Sequence, residues 1–218
     1  MPSIPPQEGD TRGRKRPWYL VVALVLVSLA GVTAAADGCA IVGYYRGALP
    51  MDAPIPDGVS EADAELIRDS TERLKSALDQ DKKVVFPMAA SGLVLGMAMF
   101  AFAAAAMAGR DGARRAVTQL VAVRAVVLGV ELATTRHVRE ADEDLHRTRT
   151  IADIRASHGS QAAKMIADQE AFQKRWGRNL AIGGVAIKIL AFGLVVVALT
   201  RQRTRQFYEA AGEALADD

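Results

Sequence analysis

Four long stretches of the chain carry almost no charge, residues 18–36, 84–108, 116–135 and 180–200, and polar or mixed segments separate them. Each has about 19 residues or more, and about 20 helical residues at 1.5 Å apiece cross the hydrocarbon of a bilayer. Lipid offers no hydrogen-bond partners, so the backbone of such a stretch must pair within itself, as a helix does. The pattern predicts an all-α membrane protein with four transmembrane helices.

The two long connections have a different pattern. The first opens with RGALPMDAPIPDG, rich in proline and glycine and without periodicity, which predicts a loop. From Ser60 onward Ile67, Thr71, Leu74 and Leu78 recur at helical spacing, and Ser60 with Asp63 resembles a capping box in which Asp replaces Glu. In the second connection Val138, Ala141 and Leu145, with Ile151 or Ile154, form an apolar seam that no proline interrupts. Ser157, His158 and Gly159 mark a break, and Ser160 starts a returning helix with Ala162, Met165 or Ile166, Phe172 and Trp176 on its apolar side. The third span is expected to continue as one rod from residue 116 to residue 156. The three projecting helices bury their narrow stripes together, so the two long connections form an extracytoplasmic helical stalk.

The segments are a basic cytoplasmic tail at 1–17, spans at 18–43, 84–108, 116–135 and 179–200, an external loop and amphipathic helix at 44–83, a short basic cytoplasmic loop at 109–115, an external helical hairpin at 136–178 and a cytoplasmic tail at 201–218. Charge sets the orientation. Arg12, Arg14, Lys15 and Arg16, then Arg110, Arg114 and Arg115, then Arg201, Arg203 and Arg205 fall on one side if every stretch spans once. Lys82, Lys83, Arg136, Arg139, Lys174, Arg175 and Arg178 flank the opposite side, so the bias is not clean. The tail and the shortest loop weigh most under the positive-inside rule, which puts both termini in the cytoplasm of a multi-pass cell-membrane protein.

The first span contains LAGVTAAADGCA, residues 29–40, which has three readings. Ala34 and Ala36 have the spacing of a signal-peptidase site behind a basic region, and Cys39 invites comparison with lipoproteins. A lipobox, however, wants an aliphatic residue and a small one where Ala36 and Asp37 stand. In the third reading an uncut helix runs on to Tyr44 and Tyr45. The apolar run exceeds the usual h-region of about 7 to 15 residues. The aromatic pairs at its two ends stand about 26 residues apart, roughly 39 Å of helix, close to the separation of two interfacial belts. This favours the uncut span, with Asp37 near the outer interface.

Composition narrows the chemistry. The 218 residues are 50% hydrophobic, and 27 basic residues nearly balance 25 acidic ones, so there is no basic footprint for nucleic acid. Mean hydropathy is +0.11, odd for a soluble domain. The single cysteine excludes an intrachain disulfide and any multi-cysteine metal site.

Charges inside the apolar stretches are the strongest functional candidates, because charge at that depth is costly. These are Arg124, Glu131 and Lys188. Side chains lean toward the N-terminus of their own helix, so Glu131 and Lys188 on antiparallel neighbours can meet across about 7 Å of depth. Such a pair either sets helix register, with Arg124 reaching toward cytoplasmic headgroups, or lies on an ion or proton path; the packing role is the simpler reading. Gly92 and Gly96 form a GxxxG spacing, read either as a contact between copies or as packing within one chain, the latter favoured. Met88, Met97, Met99 and Met107 act as adaptable filler. In HVREADEDLHRTR, Glu143 with His146 gives E-x-x-H and His137 with Glu140 its reverse. Di-iron bundles need two such helices and two further Glu ligands, so this reads as charged surface and no metal or cofactor is expected.

No nucleophile elbow, phosphate loop or metalloprotease helix is present, which argues against an enzyme. The expected function is that of a non-enzymatic scaffold or sensor-like component acting through its stalk on another copy or on a membrane protein partner. The alternative is a small transporter or channel subunit using Glu131, Lys188 and Arg124, with Gly183 and Gly184 loosening the last helix.

Overall fold

The computed structural model describes residues 16–52, 54–158 and 161–216, with the side chains of 173, 176–182 and 212–216 left aside. Arg12, Arg14 and Lys15 of the tail and Gly159 and Ser160 of the expected break lie outside the described residues, as do the side chains of Trp176 and Arg178. Apart from the loop at 46–60 and short joints, the described residues are helical, without strands: α1 (Trp18–Tyr45), α2 (Glu61–Gln80), α3 (Lys82–Met107), α4 (Asp111–Thr134), α5 (Arg136–His158), α6 (Ala162–Thr200) and α7 (Gln202–Ala216). Helices α1, α3 and α4 and the Gly183–Thr200 part of α6 are long and apolar enough to cross a membrane.

Helix α1 runs unbroken through Ala36 and stops where Gly47 takes φ 67°, a left-handed conformation that closes a helix without a Cβ penalty. Its buried stripe is Leu20, Leu24, Val27, Gly31, Ala34 and Gly38. That stripe faces α3 at backbone contact. A Cβ on Gly31 would lie 2.7 Å from the Gly96 carbonyl oxygen, one on Gly96 2.5 Å from the Gly31 oxygen, and one on Gly38 2.5 Å from the Ala89 oxygen. At its far end α3 turns into α4 through Gly109, at φ 89°.

Two hydrophobic cores follow. One joins Leu24 and Val27 of α1, Met99 and Ala103 of α3, Val117 and Val121 of α4, Val195 and Leu199 of α6 and Tyr208 of α7. The other lies between the polar helices α2 and α5, where Ile67, Leu74, Leu78, Leu145 and Ala152 pack with Val85, Tyr44 and Tyr45. Helix α2 begins as its capping pattern requires: the Ser60 hydroxyl accepts from the Asp63 N–H at 3.2 Å and donates to the Asp63 carboxylate at 2.8 Å. Across the pair, Ser70 and Thr148 hydroxyls meet at 3.1 Å and Arg155 pairs with Asp63. The first half of α6 joins this layer loosely: Ala162 is buried and Arg147 bonds Glu170 at 2.9 Å, while Met165 and Phe172 stay exposed.

Three elements depart from the expected course. The third span does not continue as one rod, because helix geometry lapses at Thr135. The Thr134 and Thr135 hydroxyls bond the carbonyls of Val130 and Glu131, and the Arg139 guanidinium takes the Leu132 carbonyl at 3.0 Å. Threonine bonds of this kind also occur at Thr118 and Thr148 inside unbroken helices, so what sets this joint apart is the Arg139 guanidinium on a terminal carbonyl of α4. Helix α6 is continuous through Gly183 and Gly184. The segment after Thr200 is an amphipathic helix folded back on the bundle, with Thr204 and Tyr208 buried.

Candidate functional site

The charged residues of the apolar helices group in an unexpected way. Arg124 and Glu131 lie on the same face of α4, nearly two turns apart, and their side chains reach toward each other until Nη1 and Oε2 are 3.5 Å apart. Arg124 is the more enclosed, its side chain 15% exposed against 43% for Glu131. The expected meeting of Glu131 and Lys188 is absent. Lys188 stands exposed on α6 between Ile187 and Ile189, with no ion pair among the described residues. The physical reason is proximity: Arg124 is a fixed neighbour on the same helix, whereas Lys188 belongs to another element whose outward face it occupies. Arg124 consequently turns along its helix toward Glu131, away from the α3–α4 turn.

Gly92 and Gly96 have separate roles. Gly96 allows the backbone contact with α1, so this half of the GxxxG spacing is used within the chain. Gly92 is less crowded: a Cβ there would stand 3.7 Å from the Ala34 carbonyl oxygen and 4.0 Å from Arg124 Nη1. Its missing side chain leaves room for the guanidinium. Arg124 is thus enclosed beside α3, while its partner Glu131 stays part-exposed.

A second group of titratable residues lies where the polar pair joins the apolar helices. Only Asp81 separates α2 from α3, and only Thr135 separates α4 from α5. These joints are adjacent: His137 Nδ1 is 3.8 Å from Asp81 Oδ2, a carboxylate oxygen that is buried and accepts no hydrogen bond among the described residues. Several other charges on these helices are paired. Arg136 and Glu140 pair at 2.7 Å, which lowers the Glu140 pKa and raises that of Arg136. Lys75 bonds Glu72 and Asp52, which raises its pKa. Among the described residues no three His, Cys, Asp or Glu side chains converge as metal ligands. His146 lies 3.9 Å from Asp142.

The opposite end is built from arginine and aromatic rings. Arg114 donates to the Leu199 carbonyl at 2.9 Å, bonds Asp111 at 2.8 Å and lies over the Tyr208 ring. Tyr208 donates to the Ala106 carbonyl at 2.8 Å, and burial pushes its pKa up to about 12 against the opposing pull of Arg114 and Arg16. Arg201 lies 5.3 Å over the Tyr19 ring and Arg16 5.9 Å over that of Phe207.

Sequence reasoning passed over two groups here. Gly31 and Gly38 belong to a small-residue stripe, but the stretch between them, with Ala34 and Ala36, also reads as a cleavage site. Thr204 and Tyr208 recur at helical spacing in a segment short enough to pass for a tail. No protein-family model, curated protein or solved structure matches this chain.

Proposed function

We propose that the protein is a multi-pass membrane component of non-enzymatic type, a scaffold or sensor-like element that works through the α2–α5 pair and the adjoining half of α6 as an extracytoplasmic stalk. The observation that carries this reading is the pair of single-residue joints. Asp81 and Thr135 connect each stalk helix to an apolar helix, and backbone hydrogen bonds run across both: Asp81 N–H to Ala77 and Val85 N–H to Asp81, Thr135 N–H to Glu131 and Arg139 N–H to Thr135. With no slack loop to absorb motion, a shift in the α2–α5 pair tilts α3 and α4. The buried, unbonded Asp81 oxygen facing His137 adds a charge-sensitive contact at that joint. The basic clusters at 16, 110–115 and 201–205 favour both termini in the cytoplasm of the cell membrane. Partners of the stalk are a second copy or a separate membrane protein, with the bilayer around the apolar helices.

The transporter reading draws on Arg124 and Glu131, but their mutual pairing neutralises the charge a relay would use. One experiment separates the two. A photo-crosslinking residue replaces Leu66, exposed on α2, or Leu194, exposed on α6, in native membranes. The stalk reading expects a discrete protein adduct from position 66 and lipid adducts from 194, with Cys39 labelled by an impermeant maleimide only from outside. Absence of the stalk adduct, together with an ion flux in proteoliposomes that Glu131→Gln removes, overturns it in favour of transport.

A further inference from the structure

We propose that the cleft between the start of α1 and the start of α7 binds the phosphate headgroup of an anionic phospholipid. The cleft is open and of about 930 Å³; Trp18, Tyr19, Phe207, Arg201 and Arg203 form most of its wall. The proposal rests on the reading of α1 and α6 as membrane spans, which sets this cleft at headgroup depth.

Three features of the site select that ligand. First, the cations are uncommitted. Arg201 and Arg203 have no acidic partner among the described residues, whereas on the α2–α5 side Arg68, Arg73, Lys75, Arg136, Arg147 and Arg155 each pair with a carboxylate. Second, Arg201 is held beside an aromatic ring. With Cζ 5.3 Å from the Tyr19 ring centroid and no carboxylate partner among the described residues, its guanidinium N–H groups remain available, and a guanidinium fork matches a phosphate bidentately. Arg16 lies 5.9 Å from the ring centroid of Phe207, a residue of the cleft wall. Third, the wall is amphipathic. Trp18 is 77% exposed at the end of a long apolar helix, where an indole suits the boundary between headgroup and acyl chain. A soluble anion would use the arginines alone; a phospholipid uses arginines and indole together. Basic pockets at the ends of membrane helices hold anionic headgroups by this combination.

The test uses the full chain in nanodiscs, with Trp176→Phe leaving Trp18 as the only tryptophan. Brominated phosphatidylglycerol or brominated phosphatidylcholine is titrated into an unbrominated phosphatidylcholine bilayer and Trp18 fluorescence is read. The proposal expects half-maximal quenching at a clearly lower fraction of phosphatidylglycerol than of phosphatidylcholine. Arg201→Gln with Arg203→Gln should raise the phosphatidylglycerol fraction required by about tenfold or more, the scale of two cations near an anionic surface. Quenching by phosphatidylcholine should not change, which shows that the variant still sits in the bilayer. Arg110→Gln, on the same end but outside the cleft wall, should leave the preference intact.

Equal quenching by both lipids overturns the site and leaves the spanning reading standing. An equal loss from Arg110→Gln overturns it in favour of diffuse surface charge. Removal of the preference by millimolar glycerol phosphate assigns the site to a soluble anion and overturns the lipid. Quenching by neither lipid overturns the spanning reading itself.

Discussion

Helices α1 and α3 touch through their backbones, whereas α4 and the apolar half of α6 touch through side chains at one end only. Of their apolar windows, 33% and 28% of the residues are buried in α1 and α3, against 11% in each of α4 and α6. The four segments do not differ in being apolar. They differ in where glycine and alanine fall. Lipid tails are as apolar as leucine, so hydrophobicity does not choose a partner within a bilayer; close approach does, and small residues permit it. The α1 stripe of Gly31, Ala34 and Gly38 meets Ala89, Gly92 and Gly96, whereas Val126, Ile187, Leu190 and Leu194 project outward. The looser pair is joined near one end by Val117 and Val121 against Val195 and Leu199, and there a polar anchor is added: Arg114 on the Leu199 carbonyl and over the Tyr208 ring.

The comparison breaks most sharply at Gly96. Gly96→Leu puts a side chain where even a Cβ meets the Gly31 oxygen at 2.5 Å and the Ala35 nitrogen at 2.6 Å, both backbone atoms that cannot rotate away. Reversible unfolding in mixed micelles should show a loss of about 3 kcal/mol, the upper range of overpacking. Val94→Leu, one helical face away and exposed, should change little. Equal behaviour of the two variants would mean that α1 and α3 are not joined by this contact.

A smaller effect is expected at the polar anchor. Tyr208→Phe removes one hydrogen bond to the Ala106 carbonyl, which keeps its bond from the Gly109 N–H at 3.0 Å. The expected cost is about 1 kcal/mol at neutral pH. Alkali separates this anchor from the glycine contact. The Tyr208 phenol is raised from 10.0 to about 12 by burial, so an unfolded chain ionises it first. Its contribution is complete below pH 10 and falls as pH rises through 12. Stability against pH between 10 and 12 should therefore slope less in Tyr208→Phe than in the parent, while Gly96→Leu keeps the parent slope. Parallel slopes in all three would take Tyr208 out of the buried anchor.

Much of this division was legible in the chain. The four apolar runs and the α2 start at Ser60 follow from period and capping, which are local properties that no partner alters. The seam at Ile67, Leu74, Leu78 and Leu145 follows likewise. Other features depend on which helices become neighbours, and one sequence does not encode that directly. Glu131 has two cations within reach in depth, and only the placement of α6 shows that Lys188 faces away. Thr134 and Thr135 are ordinary for a helix interior, and the joint after them is marked by Arg139 reaching back to the Leu132 carbonyl, a contact that one sequence does not announce. The segment 201–216 became a docked helix because Tyr208 finds a hole between α3 and α4, a hole that exists only after those helices pack.

The smallest effect is the one that tests the outward face. A Cβ on Gly193 meets no heavy atom within 4 Å, and Gly193 lies one turn from Leu190 and Val197, both exposed. If only lipid lies there, Gly193→Ala fills nothing and clashes with nothing. Alanine also limits the freedom of the unfolded segment, so stability should rise by up to about 0.5 kcal/mol. A second helix seated on this face would reverse the sign, because a glycine in a membrane contact is there to be approached. Loss of stability in Gly193→Ala, growing with protein concentration in the micelle, would therefore identify a second copy on α6. Lys188, five residues away and without an ion pair among the described residues, would then have a place to find its counter-charge.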